Sequence, residues 1–201
     1  MENTTERDDH CVFHEAAITF LATEELDPVA KLISSLLRPP ENQDAEAKIS
    51  RNTFYRFCST NFPNSMSLKL LQIYASPDKT GYDDNIRQIA IRHLNVLVSN
   101  HRGKGEEPLL PFLALKGLAR LLITCLVEQE IYEDTFKILA QVAYHIAFEI
   151  SLRQSIFWPD LLKFISSNAE KEFHLAVTTI SCFLSWILFP RRSCSGYNPL
   201  S

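Results

Sequence analysis

The residues best suited to chemistry by type and spacing lie near the start of the chain, in the stretch HCVFHE. His10 and His14 are four residues apart, so on a helix both imidazoles lie on one face and could bind one metal ion. Cys11 and Glu15 lie beside them, but a metallopeptidase motif needs a second histidine where this chain has Ile18. No nearby cluster supplies further ligands, so we predict surface histidines and no metal site.

Other reactive residue types also lack the pattern that catalysis requires. Gly103, Lys104 and Gly105 lie outside any phosphate-loop motif, and the two glutamates that follow would repel a phosphate. No G-x-S-x-G motif is present for a serine nucleophile. Three histidines fall inside helical patterns, where one hydrogen bond in a core or groove is the usual role: His93, His145 and His174. We therefore predict no enzyme and no cofactor.

A basic stretch from Arg87 to Lys104 is the first candidate binding surface. Its proposed partner-binding residues are Arg87, Arg92 and Arg102, which would suit an acidic peptide or RNA. Few aromatic residues interleave with these cations to stack bases. The stretch therefore favours a solvated helix face with neutralising loop charges over a site for an acidic peptide or RNA.

The segment from Leu175 to Arg192 contains the most apolar run of the chain. A membrane anchor is one interpretation, because a short tail and two arginines follow the apolar residues. The apolar part is shorter than the roughly 20 residues that a bilayer needs and contains four hydroxyl side chains. A buried helix fits these residues better, so we expect no membrane partner.

Composition and periodicity predict an all-α fold. The chain has 201 residues, a net charge of -4 and only 5 glycines, so strand-to-helix phosphate-binding turns are absent. Apolar spacing and proline breaks predict roughly nine helices between short loops. We predict a disordered N-terminus at 1–10, a helical domain at 11–190 and a disordered tail at 191–201. The polar, acidic N-terminus and the scattered cysteines predict an intracellular protein, cytoplasmic or nuclear and not secreted.

The helices also show an internal repeat. If Ile86 is aligned with Phe136, then Ala90 falls on Ala140, and a similar pattern recurs near Phe173. The average period is roughly 40 residues, which is typical of armadillo and HEAT repeats. One helix pair cannot bury its apolar face alone, so we predict a right-handed α-α superhelix of roughly four helix pairs. The alternative is a non-repetitive helical bundle.

Two segments resemble a plant family described as domain of unknown function 577, which is grouped with armadillo-like helical-repeat proteins. They are residues 14–78, from HEAAITFLATEELDP to IYASPD, and residues 135–149, TFKILAQVAYHIAFE. The resemblance implies an α-α superhelix and a plant source, and it implies no catalytic or binding residues. The end of the chain after Pro190 departs from this resemblance, so we expect an atypical cap there.

These observations favour a non-catalytic helical-repeat module that binds a protein partner of unknown identity, without a small-molecule substrate. The second hypothesis is association with a membrane or a nucleic acid through residues 175–192 or the basic stretch. The third is an enzyme whose site has no recognisable motif, which would require polar groups with shifted pKa values to converge in a pocket.

Overall fold

A computed structural model describes residues 5–37, 45–76, 82–100, 112–127, 131–154 and 158–169. Within these ranges the chain forms helices and no strands, which confirms the all-α prediction. The ninth predicted helix and the proposed tail lie outside the described ranges. The eight helices are α1 (Thr5–Ala22), α2 (Asp27–Leu37), α3 (Ala45–Asn61), α4 (Pro63–Ala75), α5 (Asp84–Asn100), α6 (Phe112–Val127), α7 (Glu133–Gln154) and α8 (Pro159–Ala169).

Two kinds of residue mark the helix starts. Every even-numbered helix has a proline at or beside its first residue: Pro28, Pro63, Pro111 and Pro159. Proline suits this place because its missing N–H would have no partner in the helix and its φ angle is already helical. Carboxylates lie in the first turn of α2, α3, α5, α7 and α8, where the positive end of the helix dipole stabilises them.

Helix α1 differs most from its predicted bounds. The sequence pattern CVFHEAAITFLATEEL predicts a first helix from Cys11 to Leu26, whereas α1 begins at Thr5 and ends at Ala22. The earlier end has a visible cause, because the ammonium of Lys69 on α4 donates to the carbonyl oxygens of Thr23 and Glu25. Those two carbonyls are therefore satisfied without a further helical turn.

Most helices that are second neighbours along the chain pack on one another. On the even side, α4 contacts α2 and α6, and α6 also contacts α8. On the odd side, α1 contacts α3 and α5 contacts α7. The two sides are joined because α2 and α4 each pack on α3 and α5, and α6 packs on α7. Helices α2 to α7 thus bury apolar surface against more than one neighbour, as a single helix pair could not.

The core lies mainly between α4, α5, α6 and α7. Fully buried aliphatic side chains from these helices meet there, including Leu71, Leu94, Leu118 and Leu139. Ala90 and Ala140, which the repeat alignment paired, are both completely buried. Small side chains at these two positions permit close packing of α5 and α7 against neighbouring helices. None of the described helices has the combination of length and apolar character that crossing a membrane requires.

Candidate interaction surface on helices α3, α5 and α7

Side-chain hydrogen bonds join α5 and α7 at three levels. The Thr135 hydroxyl donates to the Gln88 side-chain carbonyl at 2.9 Å, and the Asn95 amide donates to the Gln141 side-chain carbonyl at 2.8 Å. Ser99 contacts His145 at 3.1 Å. The two residues of each contact are 47, 46 and 46 positions apart in the sequence. Because this separation stays nearly constant while the residue numbers increase along both helices, α5 and α7 run parallel. A polar seam with a fixed register therefore lies between α5 and α7.

The proton positions in this seam follow from the groups present. The Ser99 hydroxyl donates to the Asn95 backbone carbonyl at 2.6 Å. A hydroxyl has one proton, so the remaining contact requires His145 Nε2 to carry the proton and donate to Ser99. His145 is thus held in one tautomer by a structural contact, as the sequence predicted for a groove histidine.

His93 on α5 makes a comparable contact with α3. Its Nδ1 lies 2.7 Å from the Tyr55 hydroxyl oxygen, and the two rings meet edge to face at 5.0 Å between centroids. Burial lowers the pKa of His93 and raises the pKa of Tyr55, so both side chains are neutral at pH 7. The pair therefore joins α3 to α5 through a neutral hydrogen bond.

The three predicted partner-binding arginines are not equivalent. The Arg87 Nε donates to the Tyr74 backbone carbonyl at 2.8 Å, and its guanidinium lies 5.4 Å from the centre of the Tyr74 ring. Arg87 is half-buried and binds near the end of α4, where a cation is favourable for the helix dipole. Arg92 is exposed on α5. Arg102 lies outside the described residues, so the structure does not place the three arginines together.

Two exposed cations on α3 were missed in the sequence reasoning. Arg56 follows Tyr55, and Arg92 precedes His93, so these exposed guanidiniums flank the contact between α3 and α5. Lys48 is exposed on the same helix. The sequence did contain a signal for these cations, because the part of α3 after Glu46 has three cationic residues and no carboxylate.

The other sequence candidates are placed only in part. Lys137 on α7 lies 2.8 Å from Glu133 and 3.8 Å from Asp134, so this cation reaches carboxylates of the adjacent turn. His14 is exposed, with its ring 5.2 Å from that of Phe62. The side chains of His10 and Cys11 lie outside the described part of the chain. Among the described residues, no three His, Cys, Asp or Glu side chains are grouped as a metal site.

Comparison with known proteins gives one result. Curated proteins and solved structures provide no match to this chain. A family described as "Repeat of unknown function (DUF577)" matches residues 115–187. This range contains the second segment that carried the resemblance, residues 135–149, and does not contain the first. The structure within it comprises most of α6 and all of α7 and α8. Residues 115–187 of the chain thus match the family that its sequence resembles, the DUF577 repeats.

Proposed function

We propose that this chain is a non-catalytic helical-repeat module that binds a protein partner as a scaffold or adaptor. The proposed architecture is an armadillo- or HEAT-like right-handed superhelix of roughly four helix pairs. One observation carries this proposal: helices two positions apart in the chain pack together, and α5 and α7 do so in parallel with a constant register. Stacked helix pairs of this kind produce long continuous surfaces that suit extended protein partners.

Two further observations support the non-catalytic role and the cellular setting. The histidines of α5 and α7 are used in contacts between helices, His93 with Tyr55 and His145 with Ser99. Cys58 and Cys125 are buried free thiols, as expected for small apolar residues in a reducing compartment. These observations support our proposal of an intracellular protein, cytoplasmic or nuclear, without a membrane or nucleic-acid partner.

The architecture is tested by small-angle X-ray scattering of the whole chain. A compact protein of 201 residues would have a radius of gyration of about 17 Å. We expect a larger value and an elongated distance distribution, since stacked helix pairs extend along one axis. A monomer with the compact value would contradict the superhelix.

The interaction role is tested by affinity capture of the tagged chain from lysate, followed by cross-linking and mass spectrometry. Nuclease-treated lysate and the tag alone are the controls. We expect a nuclease-resistant protein partner whose cross-links fall on a continuous surface of adjacent helices. Recovery of chaperones alone, or of a partner that nuclease removes, would contradict the proposal.

A further inference from the structure

We propose that the outward side of α3, α5 and α7, centred on Arg56 and Arg92, docks an acidic segment of a protein partner. This inference rests on the proposed function and names the chemistry of the partner. We name this surface the cationic face. Its exposed charged residues are Lys48, Arg56, Arg92 and Lys137.

The charge distribution along the three helices is the first support. Carboxylates occur at the start of each helix, with Glu46 on α3, Asp84 on α5, and Glu133 and Asp134 on α7. Beyond these starts, α3 and α5 have no carboxylate, and α7 has none before Glu149. All other charges in those stretches are positive. On α7 the one cation there, Lys137, is paired with Glu133, so the cationic potential that is not neutralised locally belongs to α3 and α5.

The geometry brings these cations onto one surface. The contact between Tyr55 and His93 fixes α3 beside α5, and Arg56 and Arg92 are the residues next to it. Paired residues of the parallel helices α5 and α7 are 46 positions apart in the sequence, so Arg92 lies level with Ile138, the residue that follows Lys137. The two central cations without an ion pair in the described ranges, Arg56 and Arg92, therefore come from α3 and α5, and the ion-paired Lys137 lies beside them on α7.

The two central guanidiniums are available for a partner. Arg56 and Arg92 are exposed, and neither makes an ion pair or hydrogen bond with any residue in the described ranges. Arg87 on the same helix shows the contrast, because its guanidinium is occupied by Tyr74. An exposed guanidinium can bind a carboxylate through two parallel hydrogen bonds, which suits the Asp and Glu side chains of a peptide.

The same features favour a peptide over a nucleic acid. The carboxylates of Asp84, Glu133 and Asp134 lie at one end of the parallel helices α5 and α7, where they would repel any anionic ligand, so the bound acidic segment must be short enough to stay beside Arg92. The seam beside Arg92 presents amide and hydroxyl groups of Asn95, Gln141 and neighbouring residues. Such groups hydrogen-bond to peptide backbones, whereas bases are held mainly by aromatic stacking.

The experiment compares two double variants of the whole chain. Arg56→Glu with Arg92→Glu reverses the centre of the cationic face. Lys31→Glu with Arg120→Glu makes the same change in net charge at exposed positions on α2 and α6 and is the matched control. Both variants should retain wild-type melting, since exposed substitutions usually change stability by less than about 0.5 kcal/mol. Binding of fluorescein-labelled oligoglutamate and of labelled oligouridylate is measured by fluorescence anisotropy at several salt concentrations.

We expect wild type to bind oligoglutamate more tightly than oligouridylate. The double variant Arg56→Glu with Arg92→Glu should raise the Kd for oligoglutamate roughly tenfold, and the control variant should change this Kd less than about twofold. Equal losses in both variants, no binding of oligoglutamate by wild type, or preference for oligouridylate would each overturn the inference. If the two double variants capture the same cross-linked partner from lysate as wild type does, the cationic face is refuted while the interaction role stands. If wild type captures no partner, the interaction role itself fails.

Discussion

The buried lysine on α4 permits a quantitative test of how the first two helices are held. Lys69 is only 6% exposed, and its ammonium donates to the backbone carbonyls of Thr23 at 2.5 Å and Glu25 at 3.0 Å. Replacing Lys69 with methionine keeps most of the volume and removes every donor. Each carbonyl left without a partner costs about 1–3 kcal/mol. Removing the desolvation cost of a buried cation offsets part of this loss, so we expect a net destabilisation of about 2 kcal/mol.

The assay is urea unfolding of the whole chain followed by far-ultraviolet circular dichroism. Lys31→Met is the matched control, because Lys31 is exposed on α2 and should change stability by less than about 0.5 kcal/mol. Hydrogen exchange should show the largest loss of protection in α1 and α2. If Lys69→Met is as stable as Lys31→Met, the hydrogen bonds of Lys69 to Thr23 and Glu25 do not stabilise the connection between α1 and α2, and the reasoning is refuted.

The same lysine has a signature in the pH dependence. Burial lowers the pKa of Lys69 below its ordinary value of 10.5. Between the two pKa values the unfolded chain binds more protons than the folded chain, so this group makes the free energy of unfolding rise with pH in that window. The stability of wild type relative to Lys69→Met should therefore increase as pH approaches 10.5. A decrease would contradict the burial of the ammonium.

Three further substitutions test other contacts. Tyr82→Phe removes the hydrogen bond from the Tyr82 hydroxyl to Asp27 Oδ1, so urea unfolding should show a free energy of unfolding that is lower by about 1 kcal/mol. The same substitution made in the Asp27→Ala variant should have no such effect. Burial raises the pKa of the Cys58 thiol from 9.0 to about 11. As pH rises between these two values, the free energy of unfolding of wild type relative to Cys58→Ala should fall by about 2 kcal/mol. A difference that stays constant with pH would refute the burial argument. Gly117→Ala should stabilise the chain by about 0.5–1 kcal/mol, because a methyl group there meets only Leu68 Cδ2 at 3.4 Å; a lower melting temperature would show that α4 and α6 cannot adjust.

Local sequence signals predicted the helices well because their causes lie within a few residues. Pro159 starts α8 where the sequence placed a helix start, and Pro63 separates α3 from α4. The acidic start of α7 and the ion pair of Lys137 with Glu133 also depend only on neighbours within one turn. Such features require no knowledge of the tertiary contacts.

The exact register of the repeat was harder to predict because it depends on packing. An offset of 50 residues pairs Ala90 with Ala140, both buried, but it also pairs buried Ile91 with exposed Gln141. An offset of 49 matches the starts of α5 and α7, and it pairs Ile91 with Ala140, which are both buried. One residue turns a helix by about 100°, so the contacts between helices decide which offset is correct.

The roles of individual cations could not be predicted from type and spacing. Arg87 and Arg92 differ by five residues on one helix, yet one binds the Tyr74 carbonyl and the other is exposed. Lys69 looks like an ordinary helix-surface lysine in sequence, but α1 ends where its ammonium meets the chain. In each case the deciding partner is more than ten residues away, beyond the reach of helical periodicity.

The order of charges along α3 and α5 gives the candidate surface a direction. In these helices the acidic residues lie at the starts, where the helix dipole favours them, and exposed cations follow further along. The start of α7 is acidic as well. Because α5 and α7 are parallel, both helices repeat this order in the same direction. The face consequently has an acidic end and a cationic middle, and an acidic segment bound to Arg92 should avoid the end that holds Asp84 and Glu133.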